Sequence, residues 1–303
     1  MPASIDVGTN TVRMLIGEVS DGQVAPDKYR RSITRLGGGF SREKGLSPAA
    51  MSRTLETLQE FAEEIRSEGV RSVRAVGTEA LRKAPNGGQF AKEVQTQTGL
   101  PLEIIAGDEE ARLASAGVLA ALSPQPDQCL IFDIGGGSTE FILAEGGRVS
   151  FHKSYSLGVV RLAEDVSSIE ERTRVVESAV DELIHDLAAN GCQLKKEKNF
   201  ALVGTAGTVT TLAAIDMEMA DYDWRRVNNH RLERQSLIDI YQRLLDLSPE
   251  EREEVPGMEK GRGDLIIPGI SVVLELLAKI DCSFLIVSDF GLLEGALIDL
   301  SSS

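Results

Sequence analysis

Ile5-Asp-Val-Gly-Thr-Asn-Thr-Val-Arg-Met-Leu-Ile16 and Phe132-Asp-Ile-Gly-Gly-Gly-Ser-Thr-Glu-Phe-Ile-Leu143 superpose without a gap at an interval of 127 residues, Asp6 falling on Asp133. In each, an apolar run ends in aspartate, a glycine turn carrying hydroxyl or amide side chains follows, and the chain returns as a second apolar run. That pattern predicts a β-hairpin. It is not the strand-to-helix entry of a dinucleotide or P-loop site, and neither G-x-G-x-x-G nor G-x-x-x-x-G-K-[ST] occurs. Each half of the chain therefore opens alike.

Small residues in a turn let backbone N–H groups approach an anion, and nearby hydroxyls and amides add donors. The tips Gly8-Thr9-Asn10 and Gly135-Gly136-Gly137-Ser138 are thus candidate phosphate-binding loops. Asp6 and Asp133 would repel a phosphate unless a bridging Mg²⁺ or an oriented water intervened. The superposition also sets Arg13 against Glu140, a cation in one hairpin and an acid in the other. This asymmetry suits a cleft between two similar domains, one side holding phosphate and the other holding metal or water.

The 303 residues, 42% hydrophobic and 26% charged, are enough for two folded domains and exclude a disordered or collagenous chain. A formal charge of -15 gives no electrostatic footprint for nucleic acid or for an anionic membrane surface, so an anionic ligand needs a local basic site. The longest apolar stretch, 265–280, is broken by Pro268, Gly269, Ser271, Glu275 and Lys279, and the start of the chain has no secretory pattern. The expectation is a cytoplasmic protein without a membrane span. Cys129, Cys192 and Cys282 lie far apart and read as reduced thiols.

Short apolar runs alternating with helical patterns predict an α/β architecture. Strands are expected at 12–19, 72–76, 103–105, 129–133, 140–144, 200–203 and 284–287. Helices are expected from the Ser47-Pro48 cap to Gly69, over 170–189 and over 232–247. The proline-rich Ser123-Pro-Gln-Pro-Asp127 marks the domain boundary, giving domains 1–125 and 126–291, with a last helix at 292–303 packing back on the first domain.

Asp6–Arg13, Asp133–Glu140, Gly204-Thr-Ala-Gly-Thr208 and Ser288-Asp-Phe-Gly-Leu-Leu-Glu-Gly295, in that order along the chain, resemble the exopolyphosphatase and guanosine pentaphosphate phosphohydrolase (Ppx/GppA) family in its short, two-domain form. The resemblance implies two ribonuclease-H-like domains of the actin/Hsp70/sugar-kinase superfold around a central cleft. It also implies Mg²⁺-assisted hydrolysis of terminal phosphoanhydride bonds in polyphosphate or in guanosine penta- or tetraphosphate, with a place in the stringent response. A homodimer stays open.

The same resemblance distributes roles. In Gly107-Asp-Glu-Glu-Ala-Arg112, which opens a helix, Glu110 becomes the general base and Glu109 the weaker candidate. Asp133 and Glu140 would bind Mg²⁺ or hold the attacking water, Asp6 sharing in the metal. Arg82, closing Gly77-Thr-Glu-Ala-Leu-Arg82, and Arg13 would contact phosphate. Independently of the resemblance, Gly204, Thr205, Gly207 and Thr208 join a buried strand to a helix through a small-residue turn, whose N–H groups suit phosphate. Met258 to Gly269 resembles a family segment whose Arg and Asp lie by the cleft. Asp289-Phe-Gly291 lacks the rest of a kinase metal site, Ser138 lacks a G-x-S-x-G context, and His152, His185 and His230 share no ligand spacing. The rival readings are a kinase of the same superfold and a non-catalytic regulator that binds ppGpp or polyphosphate.

Overall fold

The computed structural model describes residues 1–20, 22–41, 43–164, 168–195 and 199–302. The chain divides into two compact units, 1–120 with 291–303, and 121–290. The first crossing falls at 120/121, a few residues before the proline-rich stretch. Asn229 explains why the segment beyond it belongs to the second unit. In a left-handed backbone conformation (φ 64°), its side chain donates to the Ala121 carbonyl at 2.6 Å and accepts from the Ser123 N–H at 2.8 Å.

The first unit begins with β1 (Pro2–Val7), β2 (Thr11–Ser20) and β3 (Gln23–Ile33), an antiparallel meander, and continues through α1 (Pro48–Ser67), β4 (Ser72–Gly77), α2 (Glu79–Lys83), α3 (Gly87–Thr98), β5 (Leu102–Ile104) and α4 (Gly107–Ala121). Its sheet runs β3-β2-β1-β4-β5, with β1, β4 and β5 parallel. The Ser47 hydroxyl caps α1 on the Ala50 N–H with Pro48 at the first helical position, as the sequence predicts. One sheet face, through Ile5, Val7, Val12, Met14 and Ala75, packs on Leu58, Phe61, Phe90 and Val94 of α1 and α3. Asp6 alternates with Ile5 and Val7, so it lies on the other face.

The second unit repeats this plan: β6 (Gln128–Ile134), β7 (Thr139–Glu145), β8 (Arg148–Tyr155), α5 (Val159–Glu164), α6 (Ile169–Ala189), β9 (Phe200–Thr205), α7 (Ala206–Asp216), α8 (Trp224–Val227), β10 (Arg231–Glu233), α9 (Arg234–Leu245), α10 (Pro249–Glu253), α11 (Ile266–Ile280) and β11 (Phe284–Ser288). Its sheet order is β8-β7-β6-β9-β11-β10, the order of the first sheet with β10 added antiparallel at the edge. The final helix, α12 (Leu292–Ser302), belongs to the first unit, where Leu292 and Ala296 join Val76, Ile105 and Leu113 in a small core. The units are ribonuclease-H-like and the protein is an α/β chain of the actin/Hsp70/sugar-kinase superfold.

Three strands lie outside the runs singled out above. β3 and β8 are polar outer strands with no apolar run, and β10 (Arg231–Glu233) takes the first two residues, 232 and 233, of the expected 232–247 helix. Leu232 is a strand residue because its backbone pairs with Leu285, and the helix begins two residues later at Arg234.

Candidate active site

Both hairpins fold as the repeat predicts, with the same cross-strand register and the same closing bond. Asp6 faces Arg13 across β1–β2 and Asp133 faces Glu140 across β6–β7. Each tip is closed by one hydrogen bond, Gly8 N–H to the Thr11 carbonyl at 3.0 Å and Gly135 N–H to the Ser138 carbonyl at 2.9 Å. The carbonyls at the tips are tied back by the segment that follows the third strand. Thr9 accepts from the Gly37 N–H, and Asn10 from the Thr34 and Arg35 N–H groups; Gly135 accepts from Val159 and Gly136 from Val160, at 2.8 to 3.1 Å. Occupying those carbonyls removes the acceptors that would oppose an anion.

In the first unit the candidates come from successive strand ends. Asp6 is the last residue but one of β1, Arg82 follows β4 on α2, and Glu110 follows β5 in the first turn of α4. In open α/β sheets this carboxyl edge of the parallel strands is where ligands bind. Arg82 donates through Nη1 to the Ile105 carbonyl at 2.9 Å and to Glu110 Oε2 at 3.0 Å, so base candidate and phosphate-ligand candidate are an ion pair. Glu109, one position earlier, points elsewhere. Two Arg112 hydrogen bonds (2.7 and 2.8 Å) and one from Arg74 (2.8 Å) hold it, and they lower its pKa to about 2. Arg112 and Arg74 also bind Asp299 of α12.

Arg13 grips one oxygen of Asp6 through Nε at 3.0 Å and Nη2 at 2.6 Å. The other Asp6 oxygen is buried and has no hydrogen-bond partner among the described residues. In the second unit the corresponding row is acidic. Glu140 Oε1 accepts from both Ser138 and Ser154 hydroxyls at 2.6 Å. The Ser138 hydroxyl, a phosphate-ligand candidate from sequence, is thus spent on Glu140.

Two facing carboxylates repel each other and favour a cation. In either unit, no three His, Cys, Asp or Glu side chains among the described residues form a metal-binding group. Mg²⁺ is typically held by one or two carboxylates with water and phosphate oxygens completing its shell, and the Asp133–Glu140 pair fits that donor set. Asp6 already carries a cation, Arg13, on one oxygen, leaving its orphaned buried oxygen as the acceptor for a metal or a water.

The turn after β9 departs from its sequence reading in part. Gly204 lies within the strand, where an added Cβ would sit 2.8 Å from Phe132 Cζ and 2.7 Å from Val209 Cγ1, so its small size serves packing. The Thr205 hydroxyl donates to the Phe290 carbonyl at 3.1 Å and that of Thr208 to Ile134 at 3.4 Å. What the turn retains for an anion is backbone N–H at the start of α7. Arg262 lies over that first turn, its guanidinium filling the space a Gly207 side chain would take, and it is paired with Glu259. Arg262 is the arginine of the Met258 to Gly269 segment, which the family resemblance places by the cleft; its contact with Gly207 is not legible from residue type or spacing.

A family model described as the Ppx/GppA phosphatase family matches residues 15–303. The chain is 31% identical to exopolyphosphatase 2 of Mycobacterium tuberculosis over 99% of its own length and 98% of that protein's. It is also 31% identical to a bifunctional 3-dehydroquinate synthase/phosphatase of Fusobacterium nucleatum, of whose length it spans 46%. Among solved structures, the Aquifex aeolicus member of the Ppx/GppA family superposes with a TM-score of 0.85 at 31% identity, over 98% of this chain and 96% of that one. An exopolyphosphatase from Cytophaga hutchinsonii superposes with a TM-score of 0.82 at 25% identity, over 98% and 97%.

Proposed function

The chain belongs to the Ppx/GppA phosphatase family, and from that premise we propose that it is an exopolyphosphatase, releasing terminal phosphate from inorganic polyphosphate by attack of a water that Glu110 activates. The observation that carries this reading is the Arg82–Glu110 pair at the carboxyl edge of the first sheet. A phosphoryl group arriving at Arg82 competes with Glu110 for the same guanidinium. Substrate binding then frees the carboxylate, fixed in the first turn of α4, to orient water and accept its proton. Hydrolysis of a phosphoanhydride asks mainly for such positioning and for charge neutralisation.

Arg82, Arg13 and the tip N–H groups of Thr9 and Asn10 supply positive charge and donors for the phosphate chain, the Gly8 N–H being committed to the Thr11 carbonyl. Gly136 and Gly137 offer N–H groups in the same way in the second unit, as does the start of α7, while the Gly135 N–H closes the tip on the Ser138 carbonyl. Asp133 and Glu140 are the residues that would hold Mg²⁺, which when bound supplies charge neutralisation on phosphoryl oxygens. Guanosine pentaphosphate carries the same terminal anhydride and is the second substrate to test.

The test is phosphate release from long-chain polyphosphate, tripolyphosphate, guanosine pentaphosphate and ATP, with Mg²⁺ and no acceptor. Release from polyphosphate is expected. ADP formed only when an acceptor is added would make the protein a kinase, and tight guanosine tetraphosphate binding without turnover would make it a regulator. Glu110→Gln should keep polyphosphate binding and lose turnover by about 10² to 10⁴-fold; unchanged turnover would remove Glu110 from the role of base.

A further inference from the structure

We propose that Arg35 is a phosphate-binding residue, a cation held beside the tip of the first hairpin for a polyphosphate chain that runs past it. The inference rests on the exopolyphosphatase reading for its substrate and on backbone conformation for its residue. Arg35 has φ 49°, in the left-handed region that favours glycine. A long side chain is kept there at a cost in stability. Strain of this kind gathers at binding sites, where the surrounding structure over-determines it.

The backbone around Arg35 is held at three points. Its N–H donates to the Asn10 carbonyl at 2.9 Å, the Thr34 carbonyl before it accepts from Arg53 Nε and Nη2 at 3.2 and 3.1 Å, and its own carbonyl accepts from the Gly38 N–H at 2.8 Å. None of these bonds uses the Arg35 side chain, and glycine or asparagine would make all three with less strain. Among the described residues the Arg35 guanidinium has no hydrogen bond or ion pair, and the residue is exposed between buried Thr34 and Leu36. Gly37, Gly38 and Gly39 follow, so no side chain crowds the loop after Leu36.

The other left-handed residues that are not glycine account for themselves differently. Asn229 and Asp281 are of types that adopt this conformation readily, and Glu218 follows the end of α7, where a left-handed residue is a common terminus. Ala206 opens α7 at the candidate anion turn. Arg35 ends no helix. In the second unit Ser156 stands before Leu157-Gly158 as Arg35 stands before Leu36-Gly37, and it is not left-handed, so backing a tip does not itself demand the strained residue. The Asn10 N–H is one of the anion donors of the tip, and Arg35 is anchored on the carbonyl of that same residue. One side chain's length brings a guanidinium to the phosphate that the tip holds.

The experiment measures melting temperature and steady-state hydrolysis of long-chain polyphosphate for Arg35→Gly and for Glu218→Gly, which relieves the same strain elsewhere. Both variants should melt at the wild-type temperature or up to about 4 °C above it. Arg35→Gly alone should raise KM, by about 5- to 20-fold, the scale of one exposed charge-assisted contact, with kcat within twofold. Arg35→Lys should recover part of the loss, and Arg35→Asn, which suits the left-handed backbone without the charge, none. An unchanged KM in Arg35→Gly, or the same KM in Arg35→Lys and Arg35→Asn, would overturn the assignment. So would a melting temperature that falls by several degrees as KM rises, since the loss would then follow from the backbone. Equilibrium binding of long-chain polyphosphate to Glu110→Gln with and without Arg35→Gly separates this proposal from the reading it rests on. Weaker and less salt-dependent binding in the double variant supports Arg35 even if the wild type releases no phosphate, and undiminished binding refutes Arg35 even if hydrolysis is robust.

Discussion

Glu109 and Glu110 are chemically the same and adjacent, yet successive helical residues point about 100° apart, and the surroundings do the rest. Glu110 meets Arg82 on α2, whereas Glu109 meets Arg112 and Arg74, which also hold Asp299. Both acids are favoured at a helix N-terminus, so first-turn chemistry alone leaves them equivalent; Arg74 and Asp299, distant in sequence, break the tie. The hydrogen bonds from Arg112 and Arg74 place the folded-state pKa of Glu109 near 2, below its ordinary 4.5. A depressed carboxylate contributes stability above its unfolded pKa, and the contribution drains away as pH falls from about 4.5 towards 2. Glu109→Gln should therefore cost about 1–2 kcal/mol at pH 7, the half-exposed Arg112 partner being screened by water, and the gap from wild type should narrow as the pH drops to 3.5. Urea unfolding at pH 7, 5 and 3.5 measures it; a gap that does not change with pH would mean that Glu109 stabilises by packing and not by charge.

A hairpin tip is only as rigid as whatever holds it from behind, and the two tips are backed by corresponding glycines. Gly37 donates to Thr9, with an added Cβ falling 2.5 Å from the Thr9 methyl; at Gly158 an added Cβ would overlap the Gly136 carbonyl itself. A methyl can rotate away and a backbone carbonyl cannot. Gly158→Ala should accordingly cost ~2 kcal/mol or more and abolish most turnover, Gly37→Ala should cost less, and Gly137→Ala, which meets nothing within 4 Å, should fold normally. Thermal melts paired with phosphate release would rank the three, and a Gly158→Ala as stable as Gly137→Ala would contradict the account. The hairpins themselves were legible in the sequence because aspartate, glycine turn and apolar return recur in register, and α1 was legible from Ser47-Pro48. Their backing was not, since it is made by main-chain N–H groups, which residue types do not report. Leu36-Gly37 and Leu157-Gly158, each a buried leucine before a tight glycine, are the trace it leaves. The outer strands β3 and β8 escaped for another reason: their pairing is carried by backbone and their side chains are largely polar. The glycines Gly22 and Gly146-Gly147 that precede them were the available signal.

Over the whole molecule, the chain visits the first unit twice, and the second visit is one helix. α12 supplies Leu292 and Ala296 to the core that Val76, Ile105 and Leu113 begin, and Asp299 to the arginines that hold Glu109. Its approach to α4 depends on absent side chains. An added Cβ at Gly295 would overlap the Leu113 carbonyl, and one at Gly117 would overlap that of Gly291. Backbone meets backbone on both sides, so no rotamer change can make room. Gly295→Val should push α12 off α4, opening the Val76–Ile105–Leu113 core and unpairing Asp299, at a cost of ~3 kcal/mol or more. Because α12 packs within one unit, the damage should be local. Hydrogen exchange should lose protection in β1, β2 and β4, on which α12 lies, and keep it in β6, β9 and β11. Turnover should fall with the first group, because the first turn of α4 that carries Glu110 is anchored through Glu109 to Arg74 and Arg112, the arginines that also hold α12. Equal loss of protection in both sheets would show that the two units unfold as one, and that the last helix stabilises the chain as a whole.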